Sequence, residues 1–506
     1  QRIQVTGRAT SHHKYHRMHT RTDMSGKVAS NIEWASDDAE TAVLKVLVDN
    51  NAPGITLDST ASDVADYLSK ITDTTDTTSL PQSSILNKIA LAVEKSVTAT
   101  GDSFAAGRAF TTTSAGYYLF MTDTDSLSAN EKQTGTSPIF AVVGGNAVVV
   151  TEKTSIPTVT KQVKDDGADN DWKYKADSQM GQTVQYKLTG TVASNVDTFS
   201  TYYYEFHDEL SAGLTVDKST VKAVIGETQI TPTSVTVSDP DSNGRTVLSV
   251  KFDDLKAAAT AAGVTVGEHT RVVVTYSAKL DPNKSQHVVV GGTGNSNTVK
   301  LIYSNNPGHD SRGESVPDTV RDYTYALKLV KKDATDENKI LKGVKFTIRA
   351  TDPDDIASKD MYVQENGSLG TEAYEFTTTD SGEINVKGLD AGTYTVKETH
   401  TLAGYNTIPE FTFTIKAIGF NQAEGEGENK ITVKTSTRGS NLVEVDTTNT
   451  DNGTAALIVK NKQGSGLPLT GLNGVTFTWI AGGAVLCIGV AHLIRSRKQA
   501  EESEQE

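Results

Sequence analysis

One apolar run near the C-terminus sets the terms for everything before it. Residues 475–494 (VTFTWIAGGAVLCIGVAHLI) are 20 in a row with no formal charge apart from the titratable His492. That is about the length an α-helix needs to cross a hydrocarbon core roughly 30 Å thick. Arg495, Arg497 and Lys498 follow at once, which places the C-terminus in the cytoplasm and residues 1–466 outside the cell. The single cysteine, Cys487, falls inside the run. The exported part therefore has no disulfide, although secretion would permit one. Just ahead of the run stands LPLTG, from Leu467, Pro468 and Leu469 to Thr470 and Gly471.

A chain of 506 residues is too long for one domain and is expected to form about three. Frequent Val–Thr–Tyr alternation with 36 % apolar residues suits β-sandwiches with half-exposed strands. A net charge of −15 argues against nucleic acid as a partner. Gln1 opens straight into a strand-like run, which reads as a chain already trimmed of its export signal.

Residues 1–153 read as a β-rich domain with short helices. Gln1 to Thr6 alternate weakly as a first strand. Next comes SHHKYHRMHT, holding His12, His13, His16 and His19, four of the ten histidines. Their i,i+4 and i,i+3 spacing would suit a metal on a helix, but no nearby carboxylate or Cys completes a set, and no metal is assigned. A polar turn or a divergent strand is the alternative. Residues 57–72 (Val64, Leu68, Ile71) and 82–97 (Ile85, Ile89, Val93, Val97) carry helical apolar spacing. From 108 onward the pattern is one of strands. Residues 154–320 and 321–466 continue in strands with turns at regular intervals, apart from a short helix or turn at AAATAAG. In YALKLVKKD, alternation puts Lys331 on the apolar row of Leu327 and Leu329, and a lysine there needs a partner.

Several stretches resemble known families. LPLTG, an apolar span and a basic tail, in that order, resemble a Gram-positive cell-wall sorting signal. The resemblance implies that a sortase cuts between Thr470 and Gly471 and joins the Thr470 carbonyl to an amine. GYYLF through PIFAVVGGNAVVV resembles the N-terminal domain of SpaA/FimA-type pilus shaft subunits. That family carries a pilin motif, usually V-Y-P-K, at the end of this domain. Lys153 falls in its lysine's place, with Thr151 and Glu152 where Tyr-Pro is usual.

Residues 154–320 resemble the fimbrial isopeptide D2 domain, in which a first-strand Lys is amide-linked to a last-strand Asn beside an acid. The resemblance implies Lys161, Asn297 and Asp208, with Asn305 and Glu209 as alternates. On residue type alone these are ordinary surface lysines and turn residues. Residues 321–466 resemble the Cna B-type repeat. Its motifs match at Lys331, Asp333, Leu341, Gly343 and Phe346, then in GLDAGTYTVKETHTLAGY, whose Glu398 is the acid, and at Asn461 in the closing V-x-N slot. The resemblance implies a Lys331–Asn461 bond.

The chemistry asks for these types. Burial lowers a lysine's pKa and makes it a neutral nucleophile, while a buried acid stays protonated and polarises the amide carbonyl. Ammonia leaves, and proximity supplies most of the acceleration. Joining first to last strand makes a pulled chain load the cross-link instead of the sheet. It also restricts the unfolded chain, by about 4–5 kcal/mol if the disulfide model carries over.

The expected fold is mainly β: three tandem Ig-like (Cna A/B-type) sandwiches plus the C-terminal helix. The expected function is the major subunit of a covalently polymerised, wall-anchored pilus, with no cofactor. The implied partners are a pilus-specific and a housekeeping sortase, identical subunits, tip and base pilins, peptidoglycan and host surface ligands. The alternative is a monomeric LPxTG-anchored adhesin or minor pilin, which needs no reactive lysine at a domain junction. An enzyme acting on external substrates is disfavoured, because no nucleophile-elbow, zincin or paired-carboxylate signature is present.

Overall fold

A computed structural model describes residues 2–6, 12–23, 30–71, 80, 83–99, 103–105, 109–111, 115–128, 134–143, 148–151, 156–164, 171–353, 355–418, 430–436 and 441–464. LPLTG, the apolar run 475–494 and Lys153 lie outside them. Among the described residues no helix is long and apolar enough to cross a membrane. The molecule is mainly β, with six sheets laid out in three successive groups.

In the first group, Arg2–Thr6 lies between Ala109–Thr111 and, in parallel, Val148–Thr151. Val148–Thr151 is thus an edge strand, ending two residues before Lys153. A second sheet is built around His12–Asp23 and Gly116–Thr122. The histidine-rich stretch is therefore extended backbone, so the helical spacing that would have suited a metal does not exist there. Helices Ala61–Leu68 and Ile85–Ser96 fall where apolar spacing placed them. A further helix, Asp37–Asp49, was not expected. Ser36 caps it, Asp37, Asp38 and Glu40 crowd its first turn, and Ala39, Val43, Leu44 and Leu47 face the core. Acidic residues at a helix start offset the exposed amide dipoles.

In the second group two sheets face each other across a core rich in tyrosine. Strand alternation decides what enters it. Val159–Lys164 buries Val159, Lys161 and Val163, and Tyr204–Leu210 buries Tyr204, Phe206, Asp208 and Leu210. Asn295–Ser304 buries Asn295, Asn297, Val299, Leu301 and Tyr303. Two strands follow it in the same sheet, Arg312–Glu314 and Asp318–Tyr323. The strand carrying Asn297 is therefore not the last of the group, as the family pattern had implied.

The third group opens at Tyr325, with one residue, Thr324, between it and the end of the second group's last strand at Tyr323. Its first strand, Tyr325–Asp333, lies parallel to its last, Thr454–Asn461, with Lys331 opposite Val459 and Asp333 opposite Asn461. Glu383–Leu389 flanks the other side. A second sheet, centred on Lys345–Pro353 and Gly392–His400, covers this one.

The second and third groups are docked. Met180 N–H donates to Gly388 O at 2.8 Å, and Gln179 reaches across with both ends of its amide. Its Nε2 donates to Gly367 O at 2.5 Å. Its Oε1 accepts from Asp390 N at 3.1 Å and from the Tyr394 hydroxyl at 3.0 Å. Gly291 and Gly453 meet backbone to backbone, so that a Cβ on Gly453 would lie 2.5 Å from Gly291 Cα. Hydrogen bonds also join the first and second groups. Asn195 Nδ2 donates to Gly135 O at 2.9 Å, and His309 Nε2 lies 3.0 Å from Glu94 Oε1.

Candidate functional site

Among the described residues two lysines are wholly removed from water, Lys161 in the second group and Lys331 in the third. An ammonium ion so placed loses its hydration and requires compensation on the spot.

Lys331 sits on the inward row of Tyr325–Asp333, after Leu327 and Leu329. Its Nζ lies 3.1 Å from Glu398 Oε2 and 2.5 Å from Asn461 Oδ1. Asn461 Nδ2 in turn donates to Glu398 Oε1 at 2.8 Å and to Thr401 Oγ1 at 2.8 Å. Glu398 comes from the opposite sheet, opposite Phe346, whose ring lies 5.2 Å from the lysine nitrogen. The three side chains thus close a ring of contacts, with amine against amide and the acid touching both. Burial pulls the lysine down to about 8, against the opposing pull of Glu398. A lysine at that value carries a substantial neutral fraction near pH 8, and only the neutral form has a lone pair with which to attack a carbonyl.

Lys161 is held differently. Its Nζ lies 2.5 and 2.6 Å from the two Asp208 oxygens and 3.0 Å from the Tyr276 hydroxyl. The rings of Tyr276 and Tyr186 stand 5.3 and 5.4 Å from it. Its backbone N–H donates to Asp318 on the group's last strand at 2.6 Å. Here too burial dominates and brings the lysine to about 8, with Asp208 pulling the other way. Asn297 joins from the neighbouring strand, with Leu210 opposite it, and its Nδ2 donates to the Tyr276 hydroxyl at 2.7 Å. Asn297 Oδ1 and the Tyr186 hydroxyl are buried without a hydrogen-bond partner of good geometry. Such orphans in a core are costly; a carbonyl oxygen left free of donors is one that another group can still polarise.

The two alternates fall elsewhere. Glu209 points outward and pairs with Arg245 at 2.7 Å. Asn305 accepts from Ser311 Oγ at 2.6 Å, and its backbone carbonyl accepts from Gly135 N. The sequence reading did not single out Tyr276, Tyr186, Thr401 or Asp318. Alternation in RVVVTYSAKL marks Tyr276 as inward, but no spacing links it to Lys161 or Asn297, 115 residues from the former. Among the described residues, no three His, Cys, Asp or Glu side chains are grouped to hold a metal ion.

Residues 326–430 match the family model of the SpaA prealbumin-like fold domain. No curated protein matches the sequence. Among solved structures, the chain is similar to the T6 backbone pilin of serotype M6 Streptococcus pyogenes, whose structure is described as modular and three-domain. The TM-score is 0.55 at 15 % identity over 92 % of this chain and 98 % of that one, a likeness of fold. Lower scores go to two Corynebacterium diphtheriae major pilins. Full-length SpaD gives 0.45 at 20 % identity over 73 % of this chain and 86 % of its own. SpaA gives 0.44 at 14 % identity over 91 % and 99 %.

Proposed function

We propose that this chain, folded like a three-domain backbone pilin over most of its length, is the shaft subunit of a covalently polymerised surface pilus. The observation that carries the reading is the pair of lysine–acid–asparagine clusters, one in each of two successive domains. Each is fully enclosed, and each has its amine within reach of an amide or of a group bound to it. Two sealed nucleophiles can reach no external substrate, whereas a domain that bears load gains from a cross-link between its strands. In each cluster the lysine attacks the asparagine Cγ and ammonia leaves, giving Lys161–Asn297 and Lys331–Asn461 amides, with Asp208 and Glu398 as the promoting acids. This is self-modification without turnover.

Polymerisation uses the parts outside the described residues. A pilus-specific sortase cuts between Thr470 and Gly471, and the Thr470 carbonyl passes to Lys153 of a neighbouring subunit. The apolar run 475–494 holds the chain in the membrane until that cut. A housekeeping sortase then joins the base of the polymer to peptidoglycan, leaving a wall-anchored fibre on a Gram-positive surface. Lys153 suits this role because it follows an edge strand at a junction between domains.

The departure from the usual pilin motif at Thr151 and Glu152 favours a second reading, a monomeric wall-anchored adhesin or minor pilin. A denaturing immunoblot of wall extracts separates the two. A ladder of high-mass species that collapses to monomer in Lys153→Ala is expected. A ladder that survives moves the linkage to another lysine, and a single band in both strains removes the shaft reading.

A further inference from the structure

Asp208 is one methylene shorter than Glu398, and the difference shows in what each acid touches. Glu398 spans its two reactants alone, at 3.1 Å from the lysine nitrogen and 2.8 Å from the asparagine nitrogen. Asp208 spends both oxygens on Lys161. The Tyr276 hydroxyl fills the remaining distance, 2.6 Å from Asp208 Oδ2 and 2.7 Å from Asn297 Nδ2. We propose that Tyr276 is a catalytic residue of bond formation in the middle domain, relaying a proton from Asp208 to the departing nitrogen of Asn297. The proposal rests on the isopeptide reading above.

The protons balance as follows. Lys161 Nζ starts with three and ends, as an amide, with one. The first goes to Asp208 and frees the lone pair, which forms the new bond to Asn297 Cγ. The tetrahedral adduct then carries a positive Nζ and a negative oxygen. Asp208 passes its proton through Tyr276 to Nδ2, with the hydroxyl giving one proton as it takes another. The Cγ–Nδ2 bond breaks, ammonia leaves, and the oxygen's electrons restore the carbonyl. The second proton of Nζ returns to Asp208, which ends neutral. No oxidant or further reactant is needed.

A relay of this kind must remain a neutral O–H between transfers. Burial and the neighbouring Asp208 push the Tyr276 phenol well above its ordinary value. The ring is fixed by stacking on Tyr186, with centroids 5.3 Å apart and planes 13° from parallel. It projects from the inward row of Arg271–Leu280, which pairs with Val184–Thr191. Positioned acid–base groups supply about 10²–10⁴-fold in rate, and the Tyr276 hydroxyl is in direct hydrogen-bond contact with both Asp208 and Asn297 Nδ2.

The test follows the branched peptide joining Lys161 to Asn297 by mass spectrometry, in the full chain, as a function of time after synthesis. The Lys331–Asn461 peptide in the same sample is the internal standard. In Tyr276→Phe the middle bond is expected to form at least about tenfold more slowly, with the third-domain bond unaffected. Adding Asp208→Glu to that variant should restore the rate, because the longer acid reaches the amide directly. A role confined to packing would not be rescued so. Wild-type speed in Tyr276→Phe overturns the relay and leaves the isopeptide reading standing; absence of the branched peptide from the wild type sinks both for this domain. Should Tyr276→Phe fail to fold, the wild type decides in heavy water. Two transfers in series predict a larger solvent isotope effect in the middle domain than in the third, and equal effects overturn the proposal.

Discussion

Lys161 and Lys331 are the same side chain in two solutions to one problem, and single substitutions expose the energetics. In Asn297→Ala the middle lysine stays an amine. Burial lowers it to about 8 from the ordinary 10.5. Between those values the unfolded chain holds a proton that the folded chain lacks, so stability rises with pH across that window and is flat below it. Urea midpoints at about pH 7 and pH 10 should therefore differ in favour of the higher pH, and a midpoint that falls instead would mean the amine is buried charged. Glu398→Ala should shrink the exported part's deficit against its sequence-calculated mass by one ammonia and cost about 5 kcal/mol of chain-entropy stabilisation, on the order of 15 °C in the third domain's melting midpoint. An unchanged deficit would remove the bond from that domain. At this scale the sequence carried Lys331 well, since Leu327 and Leu329 declare its row. Asp208 and Asn297 had no such declaration. They lie on strands far from Lys161 in sequence, and only the pairing of Tyr204–Leu210 with Asn295–Ser304 brings them together.

Elements show why some of the fold was legible. Ala61–Leu68 and Ile85–Ser96 repeat apolar residues every three or four positions between capped starts at Thr60 and Ser84. Asp37–Asp49 is as good a helix, but its N-terminal half is acidic and its apolar residues crowd into AVLKVLV, which also suits a strand. The Ser36 cap was the signal that should have decided it. Docking between domains was not legible at all, because it depends on two glycines remote in sequence meeting face to face. Gly453 has φ +70°, and a side chain there meets Gly291. Gly453→Val should cost roughly 1–3 kcal/mol and splay the second and third domains. Small-angle scattering would show the longer profile, while the mass deficit from the two bonds stays as it was. An unaltered profile would mean the Gln179 contacts alone hold the joint.

For the whole molecule, the parallel first and last strands of the third domain put its entry at Tyr325 and its exit at Asn461 at opposite ends of one strand pair, so tension between them runs along that pair. Pulled from its ends, the closed chain should not lengthen through that domain. In Glu398→Ala, the 130-residue separation of Lys331 and Asn461 becomes available and adds on the order of 450 Å. Single-molecule force spectroscopy reads this directly, and equal lengths in both chains would deny the cross-link. The same closure bears on survival among proteases. With the proposed bonds in place, a cut in the exposed turn at Asp241–Gly244, between Lys161 and Asn297, would leave both pieces joined, and so would any cut between Lys331 and Asn461. Between the two proposed bonds, the stretch from 298 to 330 is the part of the load path that no cross-link spans. Most of it is strand and its passage residue Thr324 is fully buried, which leaves the loops at His309–Asp310 and Val316–Pro317 as the exposed places where an attacking enzyme would work. A shaft built of subunits with the proposed bonds would survive nicks in many places and still remain in one piece.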